Sequence, residues 1–162
     1  MEVIRVQFQL NNNLKDMEKF KINIFKAENK NRSFPHFQKE SKKTCTLFKS
    51  FFSKKTGLNE NETDSIKILK CIRTKSKLLP EINAESEDFN FKLLINKLAL
   101  FEPQNININW NRFDNIDKLK LIDFSNYFKY IWYPGPDDIE VFPDDVSWII
   151  SIDATGHISV MD

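Results

Sequence analysis

Glycine, cysteine and histidine are scarce in this sequence of 162 residues, and their scarcity excludes several kinds of site. The chain contains three glycines, two cysteines (Cys45 and Cys71) and two histidines (His36 and His157). Three glycines are too few for a glycine-rich phosphate loop or a Rossmann fingerprint, and two histidines cannot supply a histidine-rich metal centre. We therefore expect neither a metal ion nor a small-molecule cofactor.

Long apolar runs and the features of a signal peptide are also missing. The longest uninterrupted apolar stretches have only a few residues, whereas a membrane-spanning helix needs about 20. Residues 1–8 lack a basic start, an apolar run and a small-residue cleavage site. The two cysteines lie 26 positions apart without a CxxC motif, which is typical of reduced thiols in a cytosol. We expect a cytoplasmic protein with no membrane partner.

Charge is present in both signs, and the net value of +1 hides a strong separation along the chain. Residues 1–80 carry 18 basic and 8 acidic side chains, a net +10, whereas residues 81–162 carry 6 and 15, a net −9. The chain also has 20 lysines but only four arginines, a bias typical of AT-rich coding sequence. Because that bias inflates the lysine count, the acidic half is the more informative part.

The periodicity of apolar residues predicts one α+β domain over residues 1–162. The expected architecture is a mostly antiparallel sheet with helices packed on one face and a C-terminal β-meander. Residues 66–68 also alternate, so a strand stays open there as an alternative to a helix. The predicted strands are 4–10, 20–24, 105–111, 128–133, 139–142, 146–152 and 157–161, and the predicted helices are 37–55, 65–79, 86–102 and, more loosely, 114–123.

Catalytic constellations are weak in this sequence. The pairs Asp137-Asp138 and Asp144-Asp145 are adjacent residues in turns, where side chains point in different directions and do not form the two distinct environments that acid–base catalysis needs. His157 and Asp153 have no activated nucleophile beside them. The aspartates also lack the spacing of a calcium loop. We therefore predict that the protein is not an enzyme.

An acidic, aromatic block near the C-terminus is the strongest binding signal. Large aromatic side chains with a purely acidic rim suit a cationic partner, because the charge speeds association and the rings supply contact area. The alternative is that the tryptophans are core residues and the aspartates form turns and protect sheet edges. We expect buried tryptophans and solvent-exposed aspartates. The block comprises Tyr130, Trp132, Tyr133, Asp137, Asp138, Glu140, Asp144, Asp145 and Trp148.

Residues 123–161 resemble small bacterial immunity proteins encoded beside polymorphic toxins, including those of contact-dependent growth inhibition systems. The resemblance rests on a Tyr133-Pro134 turn, the run Asp137-Asp138-Ile139 with Phe142, and the hairpin that begins at Trp148. Ala154 stands in the hairpin turn where such proteins have a histidine. The resemblance implies a non-enzymatic cytoplasmic protein that occludes the active site of one cognate toxin, and many such toxins are nucleases. The expected contacts are Tyr133, Asp137, Asp138, Glu140, Asp144 and Asp145.

The lysine-rich segment 39–55 supports an alternative function. Lysines on one helical face with interleaved phenylalanines are typical of surfaces that track phosphates. The alternative hypothesis is a nucleic-acid-associated accessory protein that binds through this segment. The basic half of the chain could equally face an acidic toxin, so the side that meets the partner stays open.

Overall fold

The computed structural model describes residue 17 and residues 19–162 of the chain. Helices and strands alternate irregularly along these residues, which confirms the α+β class. The predicted strand 4–10 lies outside the described residues. In chain order the elements are α1 (Lys19–Glu28), β1 (Phe37–Lys39), α2 (Lys42–Lys55), α3 (Ser65–Lys75), β2 (Lys77–Asn83), α4 (Phe91–Lys97), β3 (Asn105–Asn111), β4 (Asn115–Lys120), α5 (Leu121–Asn126), α6 (Phe128–Ile131), β5 (Ile139–Phe142), β6 (Ile149–Ile152) and β7 (His157–Met161).

The strands form one sheet in the order β1-β4-β3-β5-β6-β7-β2. Every pairing in it is antiparallel, as the sequence predicts. Strands β5, β6 and β7 are neighbours in both the sequence and the sheet, which confirms the C-terminal meander. A tight turn at 153–156 joins β6 to β7, and Gly156 closes it with a φ of +83° that favours glycine.

Helices cover both faces of the sheet, which corrects the prediction that they pack on one face. On the first face, here called the α4 face, Ile108, Val141 and Ile150 belong to a cluster with residues of α4, α5 and α6. On the opposite face, the α3 face, Phe142 and Ile149 pack with α2 and α3. Strands β5 and β6 are buried at every position, so each face of the sheet centre needs its own apolar cover.

Polar side chains begin three of the helices. The side chains of Ser41, Asp64 and Asn90 accept hydrogen bonds from main-chain N–H groups in the first turns of α2, α3 and α4. This confirms the expected start of α3 at Ser65, and α3 then ends at Lys75, before the predicted end at Pro80. Because Asn90 supplies the cap, α4 begins at Phe91, and the prediction of a helix from residue 86 is wrong.

The predictions for segments 20–24, 114–123 and 128–133 are wrong, because a short apolar pattern is compatible with both a helix and a strand. Residues 20–24 belong to α1, where Lys21 and Phe25, four positions apart, form the buried face. Ile116 and Leu119 lie in a strand and pack on opposite faces, so their spacing of three reflects a strand that is buried on both sides. Phe128 lies in the short helix α6 and stacks on Trp132 with ring centroids 5.6 Å apart.

Candidate functional site: a charged groove on the α3 face

The acidic residues near the C-terminus do not form one exposed patch. Asp137 and Glu140 are buried, with 1% and 2% of their surface accessible, so the expectation that the aspartates reach solvent is wrong for Asp137. Asp138, Asp144 and Asp145 are exposed, as expected. The fold buries Asp137 and Glu140 because oppositely charged or polar side chains from distant parts of the chain meet them inside the molecule.

Asp137 is buried against a lysine from α1. The ammonium of Lys21 donates hydrogen bonds to Asp137 Oδ2 at 2.9 Å and to the carbonyl of Ile131 at 2.8 Å. It also lies 4.0 Å from the centroid of the Trp110 ring, a cation–π arrangement. The main-chain N–H of Tyr133 donates to the same carboxylate oxygen at 2.8 Å. This pair therefore holds α1 against the sheet and is closed to an outside partner.

Asp138 and Glu140 lie instead in an open groove on the α3 face. The groove has a volume of about 360 Å³ and runs between α3, the β3–β4 turn and the segment before β5. Its wall on α3 includes Ile66, an apolar side chain that is 46% exposed. The lining residues are Ile66, Leu69, Lys70, Arg73, Trp110, Asn111, Arg112, Pro136, Asp138 and Glu140.

Arg73 connects the two carboxylates of the groove. Its guanidinium donates to Asp138 in a close ion pair and lies 3.4 Å from Glu140 Oε1. The second oxygen of Glu140 accepts a hydrogen bond of 3.0 Å from the side-chain amide of Asn109. Burial raises the pKa of Glu140 from 4.5 to about 7, and the charge of Asp138 adds to the rise, although Arg73 and Asn109 oppose it. The floor of the groove thus holds a carboxyl group that titrates near neutral pH.

A strained turn places Arg112 on the rim of the groove. Arg112 and Phe113 have φ values of +46° and +66° at the tip of the β3–β4 hairpin, where glycine or asparagine is usual. Such conformations cost on the order of 1–3 kcal/mol each. Phe113 offsets the strain by packing edge-on against Phe52 and by donating its main-chain N–H to Asn109 Oδ1 at 3.0 Å. Arg112 itself is exposed and makes no ion pair with another described residue.

Asp144, Asp145 and Tyr133 lie outside the groove. Asp144 accepts hydrogen bonds from Lys118 at 2.6 Å and Asn107 at 2.8 Å. Burial opposes its ionisation, but these two donors outweigh burial and lower its pKa. Asp145 Oδ1 accepts from the main-chain N–H of Ser147 within the same loop. Tyr133 is half-buried and its ring lies 5.7 Å from the ammonium of Lys21. The role of these three residues in partner binding stays a prediction.

Some lysines of segment 39–55, the predicted nucleic-acid-binding segment, donate hydrogen bonds within the protein, and others are exposed. Lys49 donates to the carbonyl of Thr63 at 2.5 Å, and Lys55 donates to the carbonyl of Ser147 at 3.0 Å. Lys42, Lys43 and Lys54 are exposed on α2. Nucleic-acid binding through segment 39–55 therefore stays a prediction that depends on only part of its lysines.

The side chains that line the groove are charged, amide or apolar. No hydroxyl or thiol lines it beside Glu140, and the described residues contain no group of three or more ligands that could hold a metal ion. His157 contacts Thr155 and Asp153 only within an exposed turn. No helix among residues 17 and 19–162 is long and apolar enough to cross a membrane. Charged groups of both signs beside an apolar wall are typical of protein-binding surfaces.

Sequence reasoning missed the basic partners of the acidic residues. Lys21, Arg73 and Lys118 lie 26–116 positions from the carboxylates that they contact, so no local pattern joins them. Arginine scarcity is the one signal that could have helped. In a chain with 20 lysines and four arginines, Arg73 and Arg112 both line this groove.

Comparison of the chain with models of known protein families, with curated proteins and with solved structures finds no match.

The pKa of Glu140 predicts a measurable dependence of stability on pH. Between about pH 4.5 and pH 7 the folded protein keeps a proton that the unfolded chain releases, so the free energy of unfolding falls as the pH rises. A shift of this size corresponds to about 3 kcal/mol in total. Urea unfolding of the wild type and of Glu140→Gln across this range checks it. The wild type should lose stability relative to the variant as the pH rises, and parallel curves would contradict the prediction.

Proposed function

We propose that this chain is an immunity protein that acts in the bacterial cytoplasm and neutralises a cognate toxin by binding over its active site. The proposal starts from the resemblance of residues 123–161 to such proteins. In this chain the resembling block supplies much of the scaffold, since Trp132, Ile139, Val141 and Trp148 are buried. A toxin would therefore meet the surface that surrounds the block, where it borders the rest of the chain.

The groove on the α3 face is the observation that carries the proposal. It lies at this border, because Asp138 and Glu140 come from the resembling block whereas Ile66, Arg73 and Arg112 come from earlier elements. It offers an exposed apolar side chain for an anchor and charged groups for orientation, the combination that dominates the energetics of tight interfaces. The strained turn holds the backbone of Arg112 in one conformation before binding, which reduces the entropy that ordering the turn would cost.

The acidic loop at residues 144–145 extends the proposed interface. Asp144 and Asp145 are exposed and would attract the basic cleft of a nuclease, mainly by raising the association rate. Asp137 and Glu140 take part only indirectly, since both are buried. The proposed toxin-facing surface thus comprises Ile66, Arg112 and Asp138 at the groove, together with Asp144 and Asp145 in the loop after β5.

Binding to the toxin domain tests the proposal. If the gene immediately upstream encodes a large secreted protein with a variable C-terminal domain, that domain is the candidate toxin, and calorimetry with it measures affinity. We expect a stoichiometric complex that Ile66→Asp or Arg112→Glu weakens at least tenfold, about 1.4 kcal/mol. Asp144→Lys with Asp145→Lys should mainly slow association, and more so at low salt.

Leu93→Asp is the matched control, since Leu93 is also exposed and apolar but lies on α4, on the opposite face of the sheet. It should leave affinity unchanged. Failure of the wild-type chain to bind the toxin domain or protect cells from it would overturn the proposed function. Binding that Leu93→Asp weakens as much as Ile66→Asp would overturn the assignment to the groove.

A further inference from the structure

A second groove, between α1 and β1, is lined by basic side chains and contains no carboxylate. Its volume is about 590 Å³. Lys26 lies in the last turn of α1, and Lys30, Arg32 and His36 follow in the connection to β1. All four side chains are exposed. None of them forms an ion pair or a side-chain hydrogen bond with another described residue, so the groove presents cations whose charge the fold has not neutralised.

The nearest acidic side chain on the same helix is directed elsewhere. Glu28 lies between Lys26 and Lys30 in the sequence, but its carboxylate accepts a hydrogen bond of 2.9 Å from the hydroxyl of Tyr130. This contrasts with the groove on the α3 face, where Arg73 is paired with two carboxylates. The described residues contain three arginines, and each of them lines one of the two grooves. Arg73 and Arg112 line the groove on the α3 face, and Arg32 lines the basic groove.

The base of the basic groove is apolar and partly aromatic. Ile22, Phe34 and Phe37 line it together with the buried Pro35. Phe34 packs edge-on between Phe25 and Phe37, with ring centroids 5.5 and 6.0 Å apart, so both lining rings are held in place. Fixed rings beside free cations are the two components with which proteins bind single strands, because bases stack on rings and phosphates pair with cations.

We propose that the groove between α1 and β1 binds the sugar–phosphate backbone of single-stranded nucleic acid. The cations of Lys26, Lys30 and Arg32 contact successive phosphates, and the hydroxyl of Ser33, which also lines the groove, adds a hydrogen-bond donor. The volume of the groove exceeds that of one phosphate group, so it accommodates a nucleotide with its base against the ring of Phe34 or Phe37. This site is separate from the toxin-binding groove and does not rest on the proposed function.

The test uses the full chain and a fluorescein-labelled single-stranded RNA of mixed sequence, followed by fluorescence anisotropy at increasing salt. We expect the logarithm of the association constant to fall linearly with the logarithm of the salt concentration. The slope should be roughly −2, as three phosphate contacts predict. The triple variant Lys26→Glu, Lys30→Glu, Arg32→Glu should lose at least tenfold in affinity. All three positions are exposed, and circular dichroism checks that the variant folds.

The matched control reverses three exposed lysines of α2 with Lys42→Glu, Lys43→Glu and Lys54→Glu. It changes the net charge equally, and it should lose less than threefold. Equal losses in both triple variants would overturn the site, because net charge alone would explain them. No binding at low salt would overturn it as well. Competition by polyglutamate as strong as that by unlabelled RNA would assign the groove to an acidic protein segment instead and refute the proposal.

Discussion

Replacing Lys21 by methionine is expected to lower the free energy of unfolding by about 3–5 kcal/mol. The substitution leaves the carboxylate of Asp137 buried without the ammonium that lies 2.9 Å from it. It also removes the hydrogen bond to Ile131 and the contact with the Trp110 ring. Both side chains of the pair are completely shielded from solvent, so water cannot replace what is lost. Urea unfolding at neutral pH measures the effect.

The double variant Lys21→Met with Asp137→Asn distinguishes a charge effect from loss of packing. An asparagine at 137 keeps an acceptor for the N–H of Tyr133 but carries no charge. We therefore expect the double variant to be more stable than Lys21→Met alone, because a buried pair costs most when only one partner remains.

Lys19→Met is the control, since Lys19 begins the same helix and is exposed. It should change stability by less than about 0.5 kcal/mol. If Lys21→Met unfolds at the same urea concentration as Lys19→Met, the pair does not hold α1.

Truncation of Phe52 to alanine should destabilise the protein by about 3–5 kcal/mol. Phe52 is fully buried on the α3 face and packs edge-on against Phe142 and Phe113, with ring centroids 4.8 and 5.0 Å apart. Its loss opens a cavity between α2 and the sheet and weakens the support of the strained turn at Arg112 and Phe113. If the proposed function holds, the variant should also bind the toxin domain less tightly at equal concentrations of folded protein.

The neighbouring Phe51 provides the control, because it lies on the same helix and is 37% exposed. Phe51→Ala should cost less than about 1 kcal/mol, since little packed volume is removed. Thermal and urea unfolding compare the two. Equal destabilisation by both variants would contradict a second apolar core on the α3 face.

The sequence is sufficient to predict those elements whose patterns fit only one period. Strand 105–111 alternates over seven residues, and it is present as β3. Asp64 caps α3, as its position before an apolar run predicts. The strand predictions for 20–24 and 128–133 are wrong. An alternation of only five residues in 20–24 also fits a helix, and the aromatic and β-branched residues of 128–133 also suit a short buried helix. Tertiary contacts decide between helix and strand in such segments, as where Phe25 is buried against Tyr127 and Tyr130.

The candidate site is less predictable than the fold, because its charges are joined across long separations. Composition identifies Asp138 and Glu140 as acidic, but only the packing of α3 on the sheet brings Arg73 to both. Asp137 and Asp138 are adjacent in sequence and contact opposite faces of the sheet, the first through Lys21 and the second through Arg73. The two aspartates differ in burial, since Asp137 is buried and Asp138 is exposed. Burial depends on contacts with residues far along the chain, which a local sequence pattern does not include.

Strand β1 and the first four residues of β2 come from the basic half of the chain, yet β4 and β7, with which these strands pair, come from the acidic half. A ribosome that adds about 5–20 residues per second makes β7 on the order of 5–15 s after β2. During that time β2 has no partner strand. Folding of the sheet must therefore follow synthesis of the acidic half, and residues 1–80 alone are not expected to fold as a fragment.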